Sequence, residues 1–205
     1  IRTIASFLQL IERRETTIST RSQGYLRFAI NGAKRMQNLV VGLLNYSKVS
    51  DGHKNVEVID IELLIDTIKA NLSANIKEAG AIILVAPLPK VLGNMTQFTQ
   101  LFQNIIANAI KFRKKNVLPI VEICATTKRD FVEFSIQDNG IGIEKEELKE
   151  VFQLFARVHS KEEYEGSGIG LALCKRIVEQ HKGEIEMTSE VGKGTCIKFS
   201  LPISH

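Results

Sequence analysis

The sequence predicts an α+β protein in which a helical hairpin precedes a sandwich of one sheet and a helical layer. Over roughly the first fifty residues, apolar positions recur at alternating spacings of three and four, the heptad register of helices that pack along one seam. Farther along, helical and strand signals mix without regular βαβ alternation, which favours segregated helices and strands. We therefore expect a helical hairpin at 1–50, a polar linker at 51–55 and a mixed domain at 56–205.

The hairpin is predicted from two apolar stripes separated by a polar break. The break runs from Glu15 to Ser22 and is rich in Thr and Ser. The stripe of the first helix comprises Ile1, Ile4, Leu8 and Ile11, and that of the second comprises Leu26, Ala29, Ala33, Met36, Val40, Leu43 and Ser47. Two such helices cannot bury both stripes alone, so we expect a homodimer that forms a four-helix bundle. The alternative is a seam against the following domain.

In the mixed domain, the elements follow from alternation, helical spacing and caps. Residues 56–59 alternate as a strand, and Asp60 is a plausible N-cap for a helix at 61–79. Asn94 is expected to cap a helix through about residue 112. The other predicted elements are a buried strand at 81–85, strands at 120–126 and 131–137, an acidic helix at about 144–155, a helix at 168–180, and a closing hairpin of strands 184–189 and 195–201.

Composition narrows the classes of function. Hydrophobic residues make up 44% and charged residues 24%, as in ordinary soluble globular proteins. The net charge of +4 comes without a basic run interleaved with aromatics, so no nucleic-acid partner is expected. Three scattered cysteines lack a CxxC spacing, which favours a reducing, cytoplasmic location. No apolar run could span a bilayer, so no membrane contact is expected. The chain starts inside an amphipathic pattern without Met, as a piece of a longer protein would.

The stretch 138–143, with the sequence DNGIGI, directly follows the predicted strand at 131–137. The carboxylate of Asp138 at the strand end can accept a hydrogen bond from an exocyclic amine. Gly140 and Gly142 let the backbone approach a flat or charged ligand because no Cβ blocks it. The alternative is a simple turn, since Asp, Asn and Gly tolerate positive φ.

A second polar set lies on the predicted helix that ends near residue 112. Asn104 and Asn108 are four residues apart and Lys111 lies three further on, so all three share one helix face. Amide oxygens are hard ligands for Mg²⁺, and an ammonium meets phosphate charge. The alternative is a solvated helix face.

Two further stretches carry possible chemistry. The glycines of 166–170 run into a helix, where free N–H groups attract an anion, although the Walker ending is missing and no parallel strand leads into them. The alternative is a glycine-rich hinge. Phe152 and Phe155 precede a polar stretch and could anchor a lid or simply pack in the core.

Taken in order, these stretches resemble the sensor histidine kinases, whose ATP-binding domains are similar to those of gyrase and the mismatch-repair ATPases. Residues 104–112 resemble the N box, 138–142 the G1 box, 152–155 the F box, 166–171 the G2 box and 192–195 the terminal glycine-threonine element. The hairpin is similar to the dimerisation bundle of phytochrome-like kinases. The resemblance implies an α/β sandwich of the gyrase and histidine-kinase ATPase type.

The resemblance also implies a site for ATP and Mg²⁺. Asp138 would accept the adenine amino group with support from Thr195, and Asn108 would coordinate Mg²⁺ with Asn104 assisting. Asn104, Lys111 and Arg157 would form the catalytic set. The residues implied in nucleotide binding are Asn108, Phe112, Asp138, Gly140, Gly142, Ile143, Phe155, Gly166, Ser167, Gly168, Ile169, Gly170, Leu171 and Thr195.

The implied function is that of a protein-histidine kinase in a two-component system, which transfers the γ-phosphoryl group of ATP to a histidine for relay to an aspartate on a response-regulator receiver domain. An ATP-hydrolysing conformational machine and a non-catalytic dimeric scaffold are the alternatives. None of the four histidines, His53, His159, His181 and His205, lies on the first helix. The acceptor is expected a few residues before Ile1, so the chain as printed is expected to bind ATP but not to phosphorylate itself.

Overall fold

The computed structural model describes residues 19–48, 56–156 and 168–203, together with the single positions 4, 6, 8 and 11. Contacts divide the chain into two compact units, Ile1–Ser47 and Lys48–His205. The predicted linker at 51–55 lies outside the described residues. Within the described part of the chain, every helix is too short or too polar to cross a membrane.

The first unit contains one long described helix, α1 (Thr20–Lys48). Positions 4, 6, 8 and 11 are helical too, as the predicted first helix requires. Helix α1 starts within the predicted polar break, which is therefore too long at its C-terminal end. The cause is an N-cap that the spacing did not reveal: the N–H of Ser22 donates to the hydroxyl of Ser19 over 3.2 Å.

The apolar stripe of α1 is only partly covered within this chain. Ile30 and Ala33 are buried, whereas Met36, Val40 and Leu43 each keep 47–49% of their surface exposed. The predicted stripe thus contains buried and half-exposed positions on the same helix. Isolated exposed apolar residues are ordinary, but a row of them at helical spacing is unusual in a monomer.

The second unit has two sheets and a set of helices. Its helices are α2 (Ile61–Asn71), α3 (Ser73–Ala79), α4 (Met95–Lys111) and α5 (Gly170–Gln180). Its strands are β1 (Glu57–Asp60), β2 (Ile82–Val85), β3 (Lys90–Gly93), β4 (Ile120–Lys128), β5 (Phe131–Asp138), β6 (Ile185–Glu190) and β7 (Gly194–Pro202).

The larger sheet has the strand order β2-β4-β5-β7-β6. Strands β2 and β4 are parallel, and the other neighbours are antiparallel. Strands β1 and β3 form a separate antiparallel pair. Helices are segregated from strands as the sequence indicated, so the α+β sandwich prediction is confirmed.

Aromatic packing fixes α4 on the larger sheet. Phe102 of α4 meets Phe134 of β5 and Phe199 of β7 with ring centroids 5.2 Å apart in both pairs. All three rings are at most 1% exposed. Edge-to-face aromatic contacts add to the free energy of burial, so the position of α4 over β5 is well determined. This places the end of α4 beside the end of β5.

The two predicted helix caps of the second unit are confirmed. The Asp60 side chain accepts the N–H of Leu63 at the start of α2 over 3.3 Å. The Asn94 side chain accepts the N–H of Gln97 at the start of α4 over 3.1 Å. Each bond satisfies a backbone donor that the helix itself leaves unpaired.

Two predicted helices are wrong in extent or kind. The single helix at 61–79 is broken at Leu72, which ends α2 and precedes α3 while its side chain is buried. The acidic helix at 144–155 is reduced to one 3₁₀ turn at Glu147–Lys149. The segment has apolar residues at helical spacing, but Val151 is its only buried residue, so packing does not stabilise a longer helix.

The strand predictions need two corrections. Strand β2 is not buried: it forms an edge of the larger sheet, and Ile82, Leu84 and Val85 remain exposed. Strand β3 was not predicted at all. Its four residues form a strand because they pair with β1, which is a tertiary interaction that no local pattern reports.

Candidate functional site

The carboxylate of Asp138 ends β5 and is held by two backbone donors. Its Oδ1 accepts the N–H of Gly140 over 2.8 Å and that of Thr195 over 3.2 Å. Both of these donors bind Oδ1, and none of the described residues donates a hydrogen bond to Oδ2. Burial raises the pKa of Asp138 above its ordinary 3.8, while the two N–H groups and the charge of Lys114 act in the opposite direction. The site therefore offers one fixed, partly desolvated carboxylate oxygen to a ligand.

Glycines allow the segment after β5 to press against its neighbours. A Cβ on Gly140 would collide with the carbonyl of Phe112, and one on Gly142 would collide with the carbonyl of Glu190. Gly142 also has φ of +72°, which side chains other than glycine rarely adopt. The N–H of Ile141 donates to the Phe112 carbonyl over 2.9 Å. These contacts join the G1-like segment to the end of α4 and to the end of β6.

Ser189 on β6 connects three parts of the same end of the site. Its hydroxyl donates to the carbonyl of Gly194 over 2.8 Å and accepts the N–H of Ile143 over 2.9 Å. The hydroxyl of Thr195 lies 2.9 Å from it. Sequence reasoning missed Ser189. The available signal was its register opposite Thr195 in the predicted closing hairpin, which could have marked an inward polar pair.

Asn139 also has a structural role. Its side chain accepts the N–H of Ile120 over 3.0 Å and donates to the carbonyl of Leu118 over 2.9 Å. Asn139 therefore fixes the segment that enters β4. This explains the choice of Asn in the DNGIGI stretch without any contact to a ligand.

The polar face of α4 lies next to the start of α5. Asn104 and Asn108 are half-buried, and a Cβ on Gly170 would lie 3.5 Å from the Oδ1 of Asn104. One turn along α5, burial raises the pKa of the Cys174 thiol to about 12, partly offset by a hydrogen bond with the Asn104 side chain. The thiol also donates to the carbonyl of Leu101 over 3.7 Å. These neighbours set the position of Asn104.

At the other end of the polar face, Lys111 lies against the ring of the adjacent Phe112. Its Nζ lies 4.2 Å from the centroid of the Phe112 ring. Since a helix rises 1.5 Å per residue, the face from Asn104 to Phe112 is about 12 Å long. Among the described residues, no three His, Cys, Asp or Glu side chains form a metal-binding group. The amide oxygens of Asn104 and Asn108 are the metal-binding atoms that this helix face offers.

The described residues on both sides of segment 157–167 are hydrogen-bonded to each other. The N–H of Phe155 donates to the carbonyl of Gly168 over 2.9 Å. Gly168 has φ of +70°, and a Cβ on it would crowd the backbone of Phe155 and Ala156. Arg157, Gly166 and Ser167, all predicted site residues, lie outside the described residues.

The structure groups the remaining predicted residues into two ends of one site. Asp138, Gly140, Gly142, Ile143, Thr195 and Phe112 are brought together by the contacts above, and Asn104 is brought to Gly170. Phe155 is joined to Gly168, and its side chain is 54% exposed. Ile169 is only 2% exposed, so its side chain belongs to the core. Leu171 is half-buried at the start of α5.

Comparison with known proteins identifies related sequences and folds. The family model described as histidine kinase-, DNA gyrase B- and HSP90-like ATPase matches residues 93–205. Phytochrome-like protein Cph1 of Synechocystis sp. is 36% identical over 203 residues, which are 98% of this chain and 27% of that protein. The chain thus spans about a quarter of the length of this relative.

Solved structures with the same fold include ShkA and the histidine kinase ThkA. Full-length ShkA in complex with AMPPNP matches with a TM-score of 0.73 at 23% identity, over 98% of this chain and 43% of that one. ThkA in complex with the response regulator protein TrrA matches with a TM-score of 0.69 at 19% identity, over 98% of this chain and 57% of that one. At these identities the likeness shows the fold alone.

Proposed function

Because this chain belongs to the family of histidine kinase-, DNA gyrase B- and HSP90-like ATPases and is a sensor histidine kinase ATP-binding core, we propose that it binds Mg-ATP and serves phosphoryl transfer to a histidine. The phosphoryl group then passes to an aspartate on a response-regulator receiver domain. The observation that carries this proposal is the half-buried Asp138 carboxylate, with Oδ1 occupied by backbone donors and Oδ2 left for a ligand.

Asp138 recognises the adenine base in this proposal. Its Oδ2 accepts a hydrogen bond from the exocyclic amino group, while Gly140 and Thr195 hold the carboxylate in place through Oδ1. Gly140, Gly142 and Ile143 bring the backbone close to the base, and Phe112 packs near the nucleoside. Leaving a buried acceptor unpaired costs about 1–3 kcal/mol. This corresponds to a preference for adenine of roughly 5- to 150-fold over a base without the amino group.

The face of α4 and the start of α5 hold the phosphates. Asn108, assisted by Asn104, offers amide oxygens to Mg²⁺, and Lys111 offers a positive charge to phosphate. Gly170 lies next to the Asn104 amide, since a Cβ on it would be 3.5 Å from Oδ1. Mg²⁺ supplies charge neutralisation on the phosphate oxygens when it is bound.

The N–H groups of Gly168 to Leu171 lie at the start of α5, where a helix favours anions. Phe155 adjoins this segment through its hydrogen bond to Gly168. By the family resemblance, Gly166 and Ser167 also bind the triphosphate and Arg157 approaches the γ-phosphate. Phosphoryl transfer needs mainly alignment and charge neutralisation from the protein, and these residue types provide both.

Kinase chemistry is favoured over ATP hydrolysis by the residue at position 104. The ATPases of this superfamily activate water with a glutamate in the N box, and here that position is Asn104. An amide is not basic enough to accept a proton from water. The candidate site also has the carboxylate, amide and ammonium groups that nucleotide binding requires, which weighs against a purely structural scaffold.

The partners proposed are a second copy of the chain and a receiver domain, and the proposed location is the cytoplasm. The half-exposed row Met36, Val40 and Leu43 on α1 supports a four-helix bundle in the dimer.

Replacing Val40 and Leu43 with Glu should halve the mass measured by light scattering. The matched variant carries Glu at the exposed polar positions Lys34 and Asn38 and should stay dimeric. A dimeric mass for the first variant would place the interface elsewhere.

The test of nucleotide binding is calorimetry of the wild type with Mg-ATP and with Mg-ITP. Inosine presents an oxygen where adenine has its amino group, so it cannot donate to Asp138. We expect ITP to bind roughly 5- to 150-fold more weakly than ATP. No heat with millimolar ATP would contradict nucleotide binding, and equal affinity for the two nucleotides would contradict the role of Asp138.

A further inference from the structure

Lys114 connects two segments that are far apart in the sequence. It lies three residues beyond the end of α4, and its Nζ donates to the carbonyl of Gly192 over 2.8 Å. Gly192 belongs to the turn between β6 and β7. The N–H of Gly192 in turn donates to the carbonyl of Ile141 over 2.7 Å. The turn is therefore bonded on one side to the segment after α4 and on the other to the segment after β5.

The same turn leads directly into the residues that hold Asp138. Gly194 packs its Cα against the Asp138 backbone so closely that a Cβ would collide with the Asp138 carbonyl. Thr195 then donates its N–H to Oδ1 of Asp138 over 3.2 Å. A displacement of the turn would move this donor relative to the carboxylate. The charge of Lys114 also acts on Asp138 directly, since it favours the ionised carboxylate.

Resting on the nucleotide-binding function proposed above, we propose that Lys114 is a positioning residue of the adenine end of the site, which sets base affinity by holding the turn between β6 and β7 in place. The competing role for a lysine near a nucleotide is direct contact with phosphate. The hydrogen bond from Lys114 Nζ to the Gly192 carbonyl favours the positioning role, because it holds the ammonium beside the Asp138 end of the site.

The two roles differ in how the effect depends on the number of phosphates. A positioning residue acts on the base, so its removal should weaken AMP, ADP and ATP by the same factor. A phosphate contact would cause a loss that grows from AMP to ATP, because each added phosphate adds negative charge. The bond is a charge-assisted one at a partly exposed position, so we expect a factor of about 3 to 10.

The experiment measures the affinity of the dimeric protein for AMP, ADP and ATP in the wild type and in three variants. Lys114→Met removes the donor and the charge while keeping side-chain length. Lys114→Arg keeps both, and it should bind within about twofold of the wild type. Lys193→Met removes a charge from the same turn, where that lysine pairs with Glu190 at 2.8 Å, and should also change affinity by less than about twofold.

Equal losses of about 3- to 10-fold for the three nucleotides in Lys114→Met, with recovery in Lys114→Arg, would support the positioning role. A loss that increases with phosphate number, or an equal effect of Lys193→Met, would overturn it. Wild-type affinity in Lys114→Met would also overturn it while leaving the nucleotide-binding function intact. A wild type that binds none of the three nucleotides would overturn both. A thermal melt of each variant separates these results from loss of the fold.

Discussion

The two ends of the candidate site are built differently. At the Asp138 end, backbone and side-chain hydrogen bonds link the segments after α4, β5 and β6, and Ser189 alone takes part in three of these contacts. At the Asn104 end, the described neighbours of the amide are the Cys174 thiol and Gly170, whose Cβ position would lie 3.5 Å from Oδ1. The Asp138 end thus fixes one carboxylate through backbone donors. The Asn104 end presents the half-buried amides of Asn104 and Asn108 along one helix face.

This difference matches the chemistry proposed for each end. A planar base with fixed donors and acceptors is recognised best by groups held in one geometry, because an ordered site loses little entropy on binding. Phosphates with a hydrated metal ion change position during transfer and are bound mainly through charge. We therefore expect changes at the Asp138 end to alter base affinity strongly, and changes at the Asn104 end to alter metal dependence.

The largest expected effect is that of Asp138→Asn. The Asn oxygen can still accept the N–H groups of Gly140 and Thr195, but its amino group would then face the adenine amino group, donor against donor. We expect ATP-analogue affinity to fall about 100-fold, or about 2.7 kcal/mol. Calorimetry gives the affinity. Asp130→Asn, in the exposed turn between β4 and β5, is the matched control and should bind as the wild type does.

The same variant should not lose stability. Burial raises the pKa of Asp138, so the folded state disfavours its ionised form. A group of this kind stabilises the fold at low pH, and the contribution is lost as pH rises through the raised pKa. At neutral pH, the neutral Asn should therefore melt at the same temperature as the wild type or higher. A variant that melts well below the wild type would show that the carboxylate is needed for folding rather than for a ligand.

The second effect concerns Gly142 and tests how tightly the Asp138 end is packed. Gly142 and Gly192 have nearly the same φ, +72° and +76°, but only Gly142 has backbone atoms where a Cβ would lie. Gly192→Ala should cost only the conformational strain, about 1 kcal/mol, whereas Gly142→Ala should cost about 2 kcal/mol or more and weaken ATP binding. Urea unfolding of both variants gives the comparison. Equal costs would mean that Glu190 can move away.

The sequence alone predicts those parts of the site that depend on patterns among neighbouring residues. Asp138 follows an alternating strand, and Asn104 and Asn108 share a helix face, so their elements could be predicted without any tertiary information. The caps at Asp60 and Asn94 were predictable for the same reason. The domain division at 50–56 and the role of each site residue stay predictions.

The contacts that hold the Asp138 end depend on the pairing of chain segments. The Ser189–Thr195 pair follows from the register of the predicted closing hairpin and was missed, whereas the contact of Lys114 with Gly192 spans 78 residues and has no local signal. The missed strand β3 has the same cause. Conversely, the acidic helix predicted at 144–155 has apolar residues at helical spacing, but the structure buries only Val151 among them, so tertiary packing does not stabilise the helix.

The third effect tests the metal dependence of the Asn104 end. Asn108→Ala should remove an amide ligand, so the strengthening of ATP binding by Mg²⁺ should shrink about 10-fold, while binding without metal should change little. Thr96→Ala, at an exposed position on the same helix, is the control. Titrations with and without Mg²⁺ measure the effect. A variant still strengthened by Mg²⁺ as much as the wild type would assign the metal to other ligands.

The smallest expected effect comes from removing one supporting side-chain group at each end of the site. Ser189→Ala removes the hydroxyl that bonds to Gly194 and Ile143, and Cys174→Ala removes the thiol that neighbours Asn104. Ser189 does not contact the nucleotide itself in this proposal, so we expect Ser189→Ala to weaken ADP binding only about fivefold, the equivalent of one hydrogen bond of about 1 kcal/mol. Cys174→Ala should lower stability, because its side chain is fully buried, but should change ADP affinity by less than about twofold.

A larger loss of ADP affinity in Cys174→Ala than in Ser189→Ala would contradict the proposed difference between the two ends. The buried thiol would then matter more for nucleotide binding than the Ser189 hydroxyl. Cys174→Ser provides the check on this outcome. Its hydroxyl can replace the bond to Asn104 but not the volume of sulfur. If Cys174→Ser restored ADP affinity without restoring stability, the bond to Asn104 rather than the packing of α5 against α4 would determine binding at that end.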